Sequence, residues 1–323
     1  MGNYLAMATF GYTTMCEQHS PAEVVRYTKA AEQAGFGFSV MSDHYHPWLE
    51  SQGHSPFAWS LLGACAEATS SIELMTMVTC PIIRYHPAII AQAAATVSLL
   101  SEGRFVLGLG AGEQLNEHVV GRPWPPADVR HDMLAEAIKV IRLLWQGGFQ
   151  SHRGEFFHLE DAQVYDLPER PVAIGVAAGG PDAAELAAKV GDHLIATEPL
   201  ARLVKEYRSA GGRGRTYGQV AICVGDDEAA CRKMAVERWR FAVPGWKVQA
   251  ELPGPVNFEA ATAKVHEEDV AELVSCGPDV GRHRAAVERF LEAGFDHVAI
   301  VQVGPDQEGF LRFWEDTLAP ALL

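Results

Sequence analysis

The sequence predicts an α/β protein folded as a (β/α)8 barrel, or TIM barrel, and three observations lead to this class. Apolar runs typical of buried strands alternate with helical patterns along the whole 323-residue chain. No shift in composition divides the chain, so residues 1–323 are interpreted as a single domain. A short internal repeat precedes predicted strands two and eight, at Glu32–Phe36 and Glu292–Phe295. An open, doubly wound sheet is the alternative that this alternation allows.

Short apolar runs predict the strands, and apolar residues three and four positions apart predict the helices. The predicted strands cover residues 5–10, 38–42, 74–79, 105–109, 172–176, 193–197, 219–224 and 298–303. Helices are predicted near 21–34, 56–69, 87–100, 129–146 and 181–190, the first with a capping box at Ser20 and Glu23. Residues 149–157 are predicted as a hairpin within an insertion around 148–170. A second insertion, around 242–280, precedes the last strand.

Composition excludes several classes of function. There are 26 Lys and Arg against 41 Asp and Glu, a formal net charge of −15, which disfavours binding to nucleic acid or to an anionic membrane. No run of about 18 apolar residues predicts a spanning helix, and no signal peptide is visible. The six cysteines are scattered without zinc-ligand spacing, so no metal site is predicted and most are interpreted as small buried hydrophobes. We therefore expect a soluble protein of a reducing compartment, the cytoplasm, with neither nucleic acid nor membrane as a partner.

Polar residues cluster where predicted strand two ends. Asp43, His44 and Trp48 lie within seven residues of one another. An imidazole can take or give a proton near neutral pH, and the C-terminal ends of barrel strands carry the chemistry. The alternative is that Asp43 caps the next helix and His44 lies on the surface.

A glycine run, Gly108 to Gly112, ends predicted strand four and is followed by Glu113 and Asn116. Glycines let a flat ring approach the backbone closely. The dinucleotide-binding motif G-x-G-x-x-G does not follow the first strand, which argues against nicotinamide binding in the usual way. The alternative for Glu113 is a place in the first turn of a helix.

Two further strand ends are candidates for ligand contacts. Ala178-Gly179-Gly180-Pro181 offers backbone N–H groups at a helix N-terminus, which suits a phosphate, although a plain tight turn has the same pattern. Cys80 follows predicted strand three and is interpreted as packing or pocket lining, since no base neighbours it in sequence. Hydrolase, zincin and P-loop motifs are absent.

Together these segments resemble the luciferase-like flavin and deazaflavin oxidoreductases, and most of all the coenzyme F420-dependent glucose-6-phosphate dehydrogenase family. The resemblance is carried by Ser42–Trp48, His54–Phe57, Arg84–Ala88, Gly103–Asn116 and Ala177–Pro181, and beyond about residue 200 it is loose.

The resemblance implies a TIM barrel enzyme that transfers a hydride between an alcohol or carbonyl substrate and C5 of F420. It implies that His44 and Glu113 are the acid/base pair, that Trp48 is a wall beside substrate, and that the protein is a homodimer. Cofactor contacts are implied for Asp43, Cys80, Ala111, Gly112 and Asn116 at the ring and for Gly179, Gly180, Asp182 and Ala183 at the ribityl-phosphate side.

The substrate site departs from that of the resembling family. Thr197 matches a phosphate contact, but Glu198-Pro199-Leu200 follows without a lysine. A phosphate without cationic partners forfeits charge-assisted hydrogen bonds, so an uncharged alcohol, sugar or carbonyl compound is favoured. The alternatives are an FMN-dependent monooxygenase, an F420-dependent sugar-6-phosphate dehydrogenase with a rearranged phosphate site, and a barrel that binds a cofactor without catalysis.

Overall fold

The computed structural model describes residues 8–322. Its strands are β1 Thr9–Thr14, β2 Phe38–Met41, β3 Glu73–Thr76, β4 Phe105–Leu109, β5 Gln150–Arg153, β6 His158–Ala162, β7 Ala173–Ala177, β8 His193–Ala196, β9 Thr216–Val224, β10 Ser275–Gly277 and β11 His297–Gln302. Its α-helices are α1 Pro21–Gln33, α2 Ala58–Ala68, α3 Pro87–Leu100, α4 Gln114–Glu117, α5 Ala127–Leu144, α6 Pro181–Val190, α7 Ala201–Ser209, α8 Glu228–Trp239, α9 Trp246–Gln249, α10 Pro255–Ala261, α11 Glu267–Ala271, α12 Val280–Glu292, α13 Gln307–Phe313 and α14 Ala319–Leu322.

Eight parallel strands close into a barrel, in the order β1, β2, β3, β4, β7, β8, β9 and β11, with β11 returning to β1. Closure occurs at β9, which pairs with β8 on one side and with β11 on the other. The predicted (β/α)8 barrel is therefore confirmed, and the open doubly wound sheet is wrong. The upper half of β9 also pairs with the additional strand β10.

Apolar side chains fill the barrel, and the helices cover its outside. The interior is packed by the following residues: Phe38, Val40, Met75, Val106, Ile195, Tyr217 and Ala299. Glu73, at the start of β3, binds Arg215 at 2.8 Å and accepts a hydrogen bond from Tyr217, which closes the lower end. Among residues 8–322 no helix combines the length and apolar character needed to cross a bilayer. The chemistry of such a barrel is expected at the opposite end, where the strands have their C-termini.

Several predicted boundaries were wrong. The first strand covers Thr9–Thr14 instead of 5–10, of which 5–7 lie outside the described residues. Thr13 and Thr14 are buried because they find polar partners, as Thr14 does in Thr28 and Ser39. The predicted strand 74–79 ends at Thr76, after which the Met77–Val78 peptide bond is cis.

Both predicted insertions are present as irregular additions to the barrel. The first holds the antiparallel pair β5 and β6, which runs on to Ala162 instead of ending at Phe157. The second holds α9, α10, α11 and the unpredicted strand β10. Residues of this second segment lie over the C-terminal ends of the barrel strands, as the aromatic contacts below demonstrate.

Candidate active site

His44 lies directly beyond β2 and faces a buried carboxylate. Its Nδ1 is 2.8 Å from Oε1 of Glu17, and the side chains are 6% and 1% exposed. The distance is that of an ion pair, although the ring N–H is not aligned on the oxygen as in a full hydrogen bond. The alternative that His44 is a surface histidine is therefore wrong.

Sequence reasoning missed Glu17. The signal was available, because Glu17 follows β1 closely and barrel chemistry gathers at strand ends. Placing the first strand at 5–10 put this residue deep in a loop instead of at a strand end.

The two groups change each other's protonation. Burial favours the neutral form of His44, but the charge of Glu17 and, less strongly, that of Glu113 outweigh it, so the pKa of His44 lies above 6.5. Burial likewise acts to raise the pKa of Glu17, but the facing imidazole outweighs it and the pKa lies below 4.5. The pair is therefore stabilised as imidazolium and carboxylate.

Glu113 lies beyond β4, at the same C-terminal end of the barrel strands as His44. We call this end of the barrel the mouth. Glu113 is the N-cap residue of α4, and its charge acts on His44 across the space between the two strand ends. Its Oε2 accepts a weak, 3.4 Å hydrogen bond from Nδ2 of Asn116. The structure thus brings together an imidazole and two carboxyl groups, from Glu17 and Glu113.

Asp43 is the centre of a hydrogen-bond network. Its Oδ2 accepts from Thr79 Oγ1 at 2.8 Å and from Trp59 Nε1 at 3.2 Å, while its Oδ1 accepts from Arg84 Nη2 and Tyr85 OH, both at 3.1 Å. The alternative that Asp43 caps a helix is wrong. The carboxylate instead joins the loops after β2 and β3 to α2.

A second buried carboxylate, Glu117, supports the same arginine. Its Oε2 accepts a hydrogen bond from the Arg84 backbone N–H at 2.6 Å, and its Oε1 lies 3.6 Å from Arg84 Nε. Burial raises the pKa of Glu117 to about 7, against the opposing charge of Arg84. Because Arg84 lies between Asp43 and Glu117, its charge is balanced within the protein.

Asn116, Gly112 and Cys80 hold the glycine loop after β4. Oδ1 of Asn116 accepts from the backbone N–H of Tyr45 at 2.8 Å, which ties this loop to the one that carries His44. Gly112 has φ +77° and lies against Cys80 Sγ, where any side chain would collide. Cys80 is buried, as its interpretation as a packing residue requires.

Trp48 forms an aromatic wall beside His44. The two rings meet edge to face with centroids 4.8 Å apart. On its other side Trp48 stacks on Phe241, 4.9 Å away and 3° from parallel, and meets the edge of Phe258 at 5.2 Å. Both phenylalanines come from around the second insertion, and sequence reasoning missed them.

Comparison with known proteins identifies the family of this chain. The family model described as luciferase-like monooxygenase matches residues 3–297, which is most of the chain. The chain belongs to the luciferase-like family.

Relatives of this luciferase-like chain include F420-dependent enzymes. An F420-dependent hydroxymycolic acid dehydrogenase of Mycobacterium tuberculosis is 41% identical over 288 residues, covering 86% of this chain and 78% of that protein. An F420-dependent glucose-6-phosphate dehydrogenase of Amycolatopsis mediterranei is 36% identical, covering 98% and 99%. A solved F420-dependent secondary alcohol dehydrogenase, in complex with an F420-acetone adduct, superposes with TM-score 0.90 at 30% identity, covering 98% and 99%. The resemblance is confirmed, and it extends beyond residue 200.

The N-terminus of α6 can receive an anionic group in this luciferase-like chain. No side chain caps the helix, whose N-cap residue is Gly180, and open space surrounds the position of a Cβ there. Gly179 lies under Trp246, with only 2.8 Å between a hypothetical Cβ and Trp246 Cδ1. Asp182 is exposed in the first turn, and Ala183 is buried behind it. Trp246 is a contact that sequence reasoning missed.

Arg84 and Arg130 are both largely buried and are bound by carboxylates. Besides Arg84, Arg130 binds Glu251 at 2.8 Å, with its side chain only 5% exposed. Thr197 and Glu198 follow β8 and are both exposed. The negative charge of Glu198 at this position opposes the binding of a phosphate.

Proposed function

We propose that this chain is a coenzyme F420-dependent oxidoreductase that interconverts an uncharged alcohol and its carbonyl compound. The observation that carries the proposal is the buried His44 and Glu17 pair, which meets Glu113 and Trp48 at the mouth of a closed barrel. The F420-dependent relatives, one of them named a secondary alcohol dehydrogenase, support the choice of cofactor and of reaction.

The residues present fit such a cofactor. Open space surrounds the uncapped N-terminus of α6 at Gly180, where the backbone N–H groups suit a phosphate of such a cofactor. When bound, F420 supplies a carbon, C5, that accepts or gives a hydride. The expected contacts are those of the ring with Asp43, Cys80, Ala111, Gly112 and Asn116 and those of the phosphate with Gly179, Gly180, Asp182 and Ala183.

His44 moves the substrate proton in this proposal. Its Nδ1 faces Glu17, so Nε2 is the nitrogen available to a hydroxyl group. Neutral His44 accepts the proton as an alcohol is oxidised, and Glu17 assists because it stabilises the imidazolium that forms. In carbonyl reduction the imidazolium returns the proton. Glu113, which follows β4 and whose charge acts on His44, is the second acid/base group.

An uncharged substrate is supported by the charges around this mouth. Arg84 is bound by two buried carboxylates and Arg130 by the exposed Glu251, and Glu198 follows Thr197 where a phosphate would need a cation. Trp48 keeps a small exposed apolar surface instead, while the two phenylalanines that pack on it are buried. We therefore place substituents of the alcohol against Trp48, with Thr197 at the far side of the substrate.

The test is purification with F420 followed by a panel of alcohols, with and without a phosphate group. We expect oxidation of uncharged alcohols, measured as loss of absorbance of oxidised F420. His44→Gln and Glu113→Gln should lower kcat by about 100-fold or more with F420 still bound, whereas His46→Gln, on the same loop, should retain activity. Preferred turnover of sugar phosphates would contradict the substrate class, and rapid reaction of a bound FMNH2 with oxygen would favour a monooxygenase.

We also propose a homodimer in the cytoplasm. Phe57, Ile89, Leu99 and Leu100 are exposed on or beside α2 and α3 and form an apolar face suited to a second copy. The six cysteines are free thiols, which suits a reducing compartment. Light scattering of wild type and of Ile89→Glu tests the dimer, since the charged variant should be monomeric.

A further inference from the structure

Both peptide groups that flank the Cα atom of His44 are held by side chains from other parts of the chain. Nη2 of Arg84 donates a hydrogen bond to the backbone carbonyl of Asp43 at 2.7 Å, which fixes the peptide before His44. Oγ of Ser55 donates to the backbone carbonyl of His44 at 3.0 Å, and Oδ1 of Asn116 accepts from the N–H of that same peptide at 2.8 Å. The direction in which the His44 side chain leaves the backbone is therefore set by these three neighbours.

Arg84 is itself held in place. Its side chain is only 8% exposed, and the Nη2 that bonds the Asp43 carbonyl lies 3.1 Å from the carboxylate of the same residue. Its Nε lies 3.6 Å from Oε1 of Glu117, on another element. A planar guanidinium presents its donors in fixed directions, so these partners together determine how it lies. Arg84 thus gives the peptide before His44 a fixed point of attachment.

The charge of Arg84 also acts on the imidazole of His44. Burial lowers the pKa of His44, the charges of Glu17 and Glu113 raise it above 6.5, and the charge of Arg84 lowers it in part. The ionisable groups around Arg84 are the following: Asp43, Glu117, Tyr85 and Cys80. Arg84 therefore affects His44 in two separable ways, through the backbone and through its charge.

We propose that Arg84 is a positioning residue for the hydride-transfer reaction, which acts through the Asp43 peptide to aim His44 at the substrate. The inference rests on the proposed function, in which His44 moves the substrate proton. Misplacing such a group by about 1 Å slows the reaction by about 100-fold. Lysine in place of Arg84 keeps the charge but has a single nitrogen on a flexible chain, and it does not reproduce the planar set of hydrogen bonds.

Variants of Arg84 and Ser55 separate the two effects. Arg84→Lys should lower kcat by about 10- to 100-fold, with KM, the dissociation constant of F420 and the pH profile unchanged. Arg84→Gln should lower kcat as well and should raise the pKa of His44, so that half-maximal alcohol oxidation moves to higher pH. Ser55→Ala loses an uncharged hydrogen bond to the next peptide, and kcat should fall by about threefold without a shift in the pH profile.

Arg104→Lys is the matched control for the loss of a structural arginine. Arg104 directly precedes β4, at the end of that strand away from the mouth. Its Nη1 donates to the backbone carbonyl of Ile72 at 2.8 Å, and its Nη2 donates to that of Thr69 at 3.0 Å. Arg104→Lys should therefore lower the urea midpoint of unfolding while kcat and the pH profile stay as in the wild type.

A measurement without cofactor or substrate tests the positioning role separately from the reaction. The backbone N–H of Tyr45, in the peptide after His44, is protected by Asn116. Hydrogen exchange of this N–H, followed by NMR, should be about 10-fold faster in Arg84→Lys because the loop loses an attachment. Exchange should be unchanged in Arg104→Lys.

The results distinguish failure of this inference from failure of the proposed function. The positioning role is overturned if Arg84→Lys, shown to be folded by circular dichroism, retains wild-type kcat, or if Arg104→Lys loses as much activity. If the wild type oxidises no alcohol with F420, the proposed function fails. In that case faster exchange at Tyr45 in Arg84→Lys alone supports the attachment, and equal exchange in all three proteins overturns it. If Arg84→Gln does not fold, Arg84→Lys still decides.

Discussion

Replacing Glu17 by Gln should lower the pKa of His44 to below 6.5. In the wild type, burial favours neutral imidazole, and the charge of Glu17 reverses the balance. At a separation of 2.8 Å, an effective dielectric constant near 20 gives an attraction of about 6 kcal/mol, an upper figure because both charges are spread over several atoms. Since one pKa unit corresponds to about 1.4 kcal/mol, loss of even half of this attraction lowers the pKa by about 2 units.

The assay is titration of the histidine Cε1–H resonances by NMR, with His44 assigned by the signal missing in His44→Gln. Glu113→Gln serves as the graded comparison, because Glu113 acts on His44 more weakly than Glu17 does. It should shift the same resonance in the same direction by a smaller amount. The reasoning is refuted if His44 titrates at one pH in all three proteins, or if Glu113→Gln has the larger effect.

The same pair predicts how stability depends on pH. The pKa of His44 is raised, so its contribution is complete below about 6.5, the unfolded value, and is lost as the pH rises through the folded pKa. The pKa of Glu17 is lowered, so its contribution is complete above about 4.5 and is lost as the pH falls. The free energy of unfolding, measured in urea, should differ most between wild type and Glu17→Gln from about pH 4.5 to 6.5. A difference that is constant from pH 4 to 9 would contradict this linkage.

Two further predictions concern the network and the anion site. Asp43→Asn should lower the free energy of unfolding by about 3 kcal/mol, because it removes a buried charge that is bound to an arginine; exposed Asp182→Asn is the control, and equal urea midpoints would count against the network. Gly179→Ala should cost about 1–3 kcal/mol because its Cβ meets Trp246. Gly180→Ala, where the space is open, should cost less, so equal thermal shifts for the two would disprove the contact.

Much of the barrel was predictable because its parallel strands are buried on both faces and therefore form apolar runs. β4 was predicted at its observed bounds for this reason, and α3 was predicted at its observed bounds from its helical pattern. The first strand was not, because Thr13 and Thr14 are buried polar residues whose partners cannot be known before the fold is. Because the first strand was predicted a few residues too early, Glu17 was not recognised as a residue near a strand end.

The site was predictable where it follows strands and not where it depends on distant packing. His44 and Glu113 could be placed because both follow strands of the barrel. Phe258 and Trp246 could not, because the second insertion has no periodic pattern to fix where it lies.

The wall around Trp48 gives the molecule two separately adjustable parts. His44, which we propose moves the substrate proton, follows a strand of the barrel, whereas Phe241 and Phe258 reach Trp48 from outside the closed sheet. The chain between these two phenylalanines also carries Trp246, which lies over Gly179, and Glu251, which binds Arg130. Changes aimed at the surroundings of Trp48 are therefore best confined to Phe241 and Phe258, which leaves these two other contacts in place.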